Sequence, residues 1–256
     1  MMKWRNALIL LMLILFIAGL GILLFPIIQG AMVDRQISMN AQAFLDEKDT
    51  SGESHSIIVP DPTETAIPEK KLPEEYPELF MAMQDYNTRI WEERQSGLCD
   101  PWSYEQPSFD LVEYGITNEV FGVISIPALQ LEMPIFLGAT SQHMADGAAH
   151  LSQTSLPVGG NNTNCVIAGH RGYNGASYFR YITDLQVGDV VTVTNLWETL
   201  TYTVTETDII EPTDVSKILI QENREMLTLL TCHPYASGGR QRYVVYCERI
   251  NEMEVI

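Results

Sequence analysis

Thr228-Leu229-Leu230-Thr231-Cys232, the turn residues Ala236-Ser237-Gly238-Gly239 and the apolar run from Arg242 to Arg249 form the stretch that decides the fold. Two segments rich in leucine and β-branched residues around a glycine-bearing turn read as neighbouring antiparallel strands. The first leaves a thiol at its end, on the rim of a sheet. The second opens on an arginine ten residues later.

Outward from this pair the same short-strand signature recurs. Val120–Pro127, Leu131–Phe136, Cys165–Ala168, Asp189–Thr194 and Leu200–Ile210 are all brief apolar or alternating runs. Thr201-Tyr202-Thr203-Val204-Thr205 alternates as a half-buried strand should. Helical pieces are expected near Ser141–Ala145 and Ala176–Ile182. Many short strands with so little helix make the chain mainly β, a closed or nearly closed barrel rather than a doubly wound sheet.

The N-terminal third differs. Ala7 to Gln29 is a run of 23 residues without a charge, long enough as a helix to cross a hydrocarbon layer of roughly 30 Å. Lys3 and Arg5 precede it, which orients the N-terminus to the cytoplasm. Its length, and the poor cleavage match at Gly30-Ala31-Met32, favour an uncleaved anchor over a signal peptide. Ala31 to Leu45 can extend the helix. Asp49 to Pro73, rich in Ser, Pro, Thr and acids, reads as a flexible linker. Across Glu75–Gln95, large apolar residues return at three- and four-residue steps, the mark of an amphipathic helix lying on the domain.

The net charge of −18 argues against nucleic-acid binding, which needs a basic footprint. Four cysteines in 256 residues make neither a disulfide scaffold nor a zinc site with paired spacing. Cys165 and Cys247 fall in apolar runs and read as buried; Cys99 lies in a polar loop. That leaves Cys232 as the candidate nucleophile, which needs a base and an anion-stabilising donor. His233 follows it directly, but strand neighbours point to opposite faces. His55 lies in the linker, and His143 and His150 read as structural. His170, in Gly169-His170-Arg171-Gly172, ends a buried strand among small residues and is the candidate base. For the donor, Arg242 begins the return strand and Arg240 is the fallback within the turn.

These motifs together resemble the sortases, membrane-anchored cysteine transpeptidases of Gram-positive bacteria. The resemblance runs from about Val120 to Arg249, and includes Thr154-Ser155-Leu156-Pro157-Val158-Gly159-Gly160 and Glu211-Pro212-Thr213-Asp214. It implies an eight-stranded β-barrel with Cys232 as nucleophile, His170 as acid/base and Arg242 stabilising the oxyanion or positioning the substrate. Asp100-Pro101-Trp102 resembles the lid of the pilin-polymerising class C sortases, in which the aspartate faces the cysteine and the aromatic ring covers the site. There are departures: position 233 is His where Thr or Ser is frequent, the ten-residue spacing also fits class B, and class C enzymes commonly carry a second, C-terminal apolar segment.

The implied organisation is a cytoplasmic N-terminus over 1–6, an anchor over 7–29 and a juxtamembrane segment and linker over 30–74. A helix and lid loop over 75–118, a catalytic barrel over 119–250 and a tail over 251–256 follow. The implied activity is acyl transfer: cleavage of an LPxTG-like sorting signal by a protease-type first step, then joining to a pilin lysine outside the cell. A peptidoglycan acceptor, as in class B-like or housekeeping enzymes, is the nearest alternative. A non-catalytic tethered binding module is the alternative of a different kind. No cofactor or metal is called for.

Overall fold

A computed structural model describes residues 2–52, 72–98 and 106–250. The linker residues 53–71, with His55, lie outside the described residues. So do Cys99, the Asp100-Pro101-Trp102 motif and the tail 251–256.

Eight strands close into a barrel: β1 (Val120–Ile126), β2 (Leu131–Leu137), β3 (Ala148–His150), β4 (Thr163–Ala168), β5 (Val190–Asn195), β6 (Thr199–Ile210), β7 (Glu225–His233) and β8 (Gln241–Arg249). The order around the barrel is β1-β2-β3-β4-β7-β8-β6-β5. Closure leaves no open edge among them. Two of the pairings, β2 with β3 and β4 with β7, are parallel.

Alternation along the strands builds the core. Cys165 and Ile167, Leu227 and Leu229, Val245 and Cys247, and Val191 and Val193 meet in one buried cluster. The intervening residues Val166 and Ala168, Met226 and Leu230, and Val244 and Tyr246 meet in a second. Strands β4, β7 and β8 are thus buried on both faces, which explains why their sequences read as near-continuous apolar runs.

Among the described residues three α-helices accompany the barrel: α1 (Met2–Gly52), α2 (Pro77–Glu92) and α3 (Ser141–Asp146). The first is a single helix, so the anchor and the expected extension beyond it are continuous, and the helix continues through Gly52. Residues from Leu8 to Gln29 are exposed, and Gly30 is the first buried position. Beyond it Ile37, Ala41 and Phe44, spaced at four and three residues, are buried. Ala41 and Phe44 pack against Val120, Val123 and Phe136. Burying a side chain such as Ile37 or Phe44 contributes about 1.5–3 kcal/mol. Lys48 Nζ then donates to the Asn195 carbonyl at 2.7 Å.

The apolar face of α2, with Leu79, Phe80, Met83, Tyr86 and Ile90, packs on Phe121, Leu137, Leu156 and Val158. Asn87 locks it there: Nδ2 donates to the Leu156 carbonyl at 3.1 Å, and the Leu156 N–H donates to Oδ1 at 2.7 Å. Leu156 belongs to the Thr154–Gly160 motif, so that motif forms part of the seat for α2.

One sequence expectation needs correction, and one strand had no sequence signal. Ala176–Ile182 is not a helix; it folds as turns ending in a 3-10 turn at Ile182–Asp184. Tyr178 adopts a left-handed φ of 43°, and the Phe179 N–H donates back to the His170 carbonyl at 2.9 Å. Those constraints hold Phe179 over Gly169, where a Cβ would come within 2.6 Å of its ring. Strand β3 was not legible, because Ala148-Ala149-His150 carries no β pattern. It exists through pairing with β2 on one side and β4 on the other.

Candidate active site

Strands β4 and β7 run parallel and in register, with Ala168 opposite Leu230. His170 and Cys232 each lie two residues beyond that pair. The Gly169 N–H donates to the Leu230 carbonyl at 3.0 Å, and Thr231 Oγ1 donates to the Gly169 carbonyl at 2.8 Å. The two strand ends are therefore tied together one residue before each candidate. On the other side, antiparallel β8 pairs Arg242 directly with Cys232.

The strand period of two, with Cys232 and Arg242 directly paired, puts those two side chains on one face. Cys232 continues the Met226–Leu230 series and Arg242 the Val244–Tyr246 series, on the face of the second core cluster, and His170 follows Ala168 of that cluster by two residues. Cys232 and His170 are half-buried, whereas Arg242 is only 4% exposed. Arg240, the fallback donor, is exposed.

Gly239 is a site residue that the sequence reading missed. Its φ is +77°, and a Cβ there would lie 3.1 Å from Cys232 Sγ and 3.2 Å from Arg242 Nη1. Its carbonyl also accepts from Arg242 Nη1 at 2.6 Å. The glycine thus leaves open the space between thiol and guanidinium while its own backbone orients the guanidinium. The Gly238-Gly239 pair in the turn was the available signal.

Around His170, Tyr173 stacks on the imidazole with centroids 4.6 Å apart and planes 20° apart. Tyr178 meets it edge-on at 5.8 Å, its hydroxyl donating to the Ala145 carbonyl at 2.6 Å. Burial lowers the His170 pKa below the ordinary histidine value, favouring the neutral ring that can accept a proton.

The other histidines stand elsewhere. His143 stacks on Phe136 and its Nδ1 donates to the Gly138 carbonyl at 2.9 Å. His150 is fully buried on β3, with Nε2 3.0 Å from the Ser155 carbonyl. His233, on the opposite strand parity from Cys232, accepts from Arg171 Nη1 through Nδ1 at 2.6 Å. Its pKa is lowered by desolvation and by that guanidinium. The same Nη1 reaches the Cys232 carbonyl at 3.4 Å, so Arg171 bridges the segment after β4 to the end of β7. Cys165 and Cys247 are buried thiols; burial pushes Cys247 up to about 12 and Cys165 well above its ordinary value. Neither has the access or the thiolate character of a nucleophile.

Comparison with known proteins gives the family. The sortase domain family matches residues 124–250. Sortase D of Bacillus subtilis is 29% identical over 136 residues, 52% of this chain and 66% of that protein. The chain therefore spans just under two thirds of that relative. Sortase A of Bacillus anthracis is 27% identical over 159 residues, 60% of this chain and 72% of the relative. Among solved structures, Streptococcus agalactiae sortase C1 superposes with a TM-score of 0.64 at 29% identity, covering 69% of this chain and 90% of its own. Sortase C-1 of Streptococcus pneumoniae is 34% identical with a TM-score of 0.54, covering 66% of this chain and 91% of its own. With that identity over nine-tenths of a solved class C enzyme, and with the barrel and strand pairing described above, the chain belongs to the sortase family, class C.

Proposed function

We propose that this protein is a membrane-anchored cysteine transpeptidase that cleaves an LPxTG-like sorting signal and joins the new carboxyl end to a pilin lysine. The observation that carries the reading is the convergence of three strand ends. Parallel β4–β7 pairing brings the His170 end to Cys232, and antiparallel β7–β8 pairing sets Arg242 across from it.

The chemistry follows from the groups. Cys232 gives its proton to His170, and Sγ attacks the threonine carbonyl carbon of the signal. Arg242 donates to the oxyanion of the tetrahedral intermediate. His170 then passes its proton to the departing glycine nitrogen as the Thr–Gly bond breaks, leaving a thioacyl enzyme. A neutral lysine amine attacks that thioester. Its proton goes to His170, the Cys232 thiolate leaves, and an isopeptide bond remains. Neutral His170 at rest, favoured by burial, suits the accepting role in the first step. The exposed apolar stretch of α1 serves as a single-pass anchor with the barrel outside the cell. Asp100-Pro101-Trp102 acts as a lid over Cys232, on the strength of its resemblance.

A second reading changes only the acceptor, to a peptidoglycan amine. The curated relatives are named sortase D and sortase A rather than sortase C, which keeps this acceptor in view. Incubating the full chain in detergent micelles with a pilin and, separately, with a peptidoglycan stem peptide separates the two. A ladder of covalent pilin oligomers supports polymerisation, and stem-peptide adducts alone support the second reading. Retention of full activity by Cys232→Ala overturns both.

A further inference from the structure

The helix bearing the apolar segment also grips the loop beside His170. Tyr173 and Ala176 exchange backbone hydrogen bonds, Tyr173 N–H to Ala176 O at 3.1 Å and Ala176 N–H to Tyr173 O at 2.9 Å. Between them Asn174 and Gly175 have φ of 48° and 83°. This is a two-residue Asn-Gly turn with both central residues left-handed, a stiff arrangement that glycine and asparagine tolerate. One end of the turn is Tyr173, whose ring lies on His170. Its tip is pressed against α1.

That contact is close and backbone to backbone. A Cβ on Gly175 would lie 2.6 Å from the Pro26 carbonyl oxygen and 3.2 Å from Gly30 Cα. A Cβ on Gly30 would collide with the Gly175 carbonyl. One turn further along the helix, Asp34 accepts from the Ser177 N–H at 2.8 Å and from Ser177 Oγ at 3.3 Å. The loop is thus clamped at both ends of one helical turn.

Where this clamp sits along α1 is what matters. The uncharged stretch runs from Ala7 to Gln29, and α1 is exposed throughout Leu8–Gln29, with burial beginning at Gly30. A bilayer's hydrocarbon layer is about 30 Å thick, and its headgroup layers bring the total to about 40–45 Å. A helix rising about 1.5 Å per residue fills the hydrocarbon with that stretch. Pro26 then falls just inside its outer boundary and Gly30 just beyond it, where the headgroup layer begins. Whatever touches those residues lies at the same depth. Tyr173 is 43% exposed, and tyrosine is suited to that zone because its ring is apolar and its hydroxyl polar.

We propose that the Tyr173-Asn174-Gly175-Ala176 turn is seated in the lipid headgroup layer, so that the bilayer surface lies beside His170 and the active site works at that surface. The inference rests on reading α1 as a membrane anchor. It would make the site most accessible to an extended peptide emerging from the same membrane.

The test uses the full chain, with Cys99→Ala and Cys232→Ala, reconstituted in vesicles of phosphatidylcholine and phosphatidylglycerol. A nitroxide is attached at Asn174→Cys, and its relaxation by oxygen is compared with that by a water-soluble nickel chelate. Tyr173→Cys gives a second label position should Asn174→Cys not fold. Phe16→Cys, within the apolar stretch, reports the anchor itself. Val112→Cys is the aqueous reference: it is 49% exposed and close in sequence to Gly115, which faces Phe44 and Lys48 far along α1 from Gly30. The expected oxygen-to-nickel ratio at the turn is several-fold above that at 112 and below that at 16. A turn as aqueous as 112, with 16 in lipid, overturns the proposal and leaves the anchor reading intact. An aqueous label at 16 overturns the anchor reading, and the proposal with it.

Discussion

Thr231 donates its hydroxyl hydrogen to the Gly169 carbonyl at 2.8 Å, joining the residue before Cys232 to the residue before His170. Both strands are buried there, Thr231 being 0% exposed. Thr231→Val keeps the shape and leaves a buried carbonyl without this donor, at an expected cost of about 1–3 kcal/mol. Urea unfolding of wild type, Thr231→Val and Thr231→Ser checks this. The serine variant should recover most of the loss, and equal midpoints for all three would mean the bond contributes nothing.

Arg242 faces Cys232 across the β7–β8 ladder. If it stabilises the oxyanion, Arg242→Ala should lower kcat/KM for sorting-signal cleavage by about 10²–10³-fold. Arg242→Lys should restore only part, since an ammonium lacks the planar fork that the Gly239 and Gln241 carbonyls hold. Alkylation of Cys232 by iodoacetamide should change little in either variant. An equal fall in alkylation and cleavage would instead assign Arg242 to activating the thiol.

Gly239→Ala tests the space between thiol and guanidinium. The new Cβ meets both Cys232 Sγ and Arg242 Nη1, and the backbone is left-handed there. A stability loss of about 1 kcal/mol is expected from the backbone alone. Cleavage should fall well beyond what that loss explains. Gly238→Ala is the control: its φ is +71°, with nothing near its Cβ position. It should lose stability and keep activity, and matching activity losses in the two would remove the steric argument.

His150 gives a pH dependence with a defined sign. Burial lowers its pKa to about 4, against 6.5 for the unfolded chain. Below pH 6.5 the unfolded state takes up a proton that the native state refuses, so stability falls as pH drops through this window toward 4. At full extent the loss is on the order of 3 kcal/mol. His150→Gln cannot titrate and keeps a donor for the Ser155 carbonyl. It should be less stable at pH 7 but show a shallower decline between pH 6.5 and 4. Parallel stability profiles would show that His150 titrates normally.

The lid expectation makes a kinetic prediction. Asp100→Ala and Trp102→Ala should each speed alkylation of Cys232 several-fold over wild type. Identical rates in all three proteins would remove Asp100-Pro101-Trp102 from any covering role.

The local signals in the chain were sufficient for seven of the eight barrel strands, because period-two alternation and glycine turns act over a few residues. They served equally for the long apolar helix and the α2 face. His233 could be set aside from strand parity alone, and its partner proves to be Arg171, away from the Cys232 face. The misses share one cause. Strand β3 exists only because β2 and β4 pair with it, and the segment 176–182 turns because Phe179 must cover Gly169. Asn174-Gly175 was a readable turn signal, but nothing near it in sequence says that its tip meets Gly30.

By itself, then, the sequence determined which residues could do thiol chemistry and that each stands at the end of a strand. Only the tertiary structure decided that the three ends belong together. The β4–β7 contact is parallel, between strands more than fifty residues apart, and its register depends on closing the whole barrel. Ten residues and a turn bring Arg242 back to Cys232, but bringing His170 there takes the entire fold.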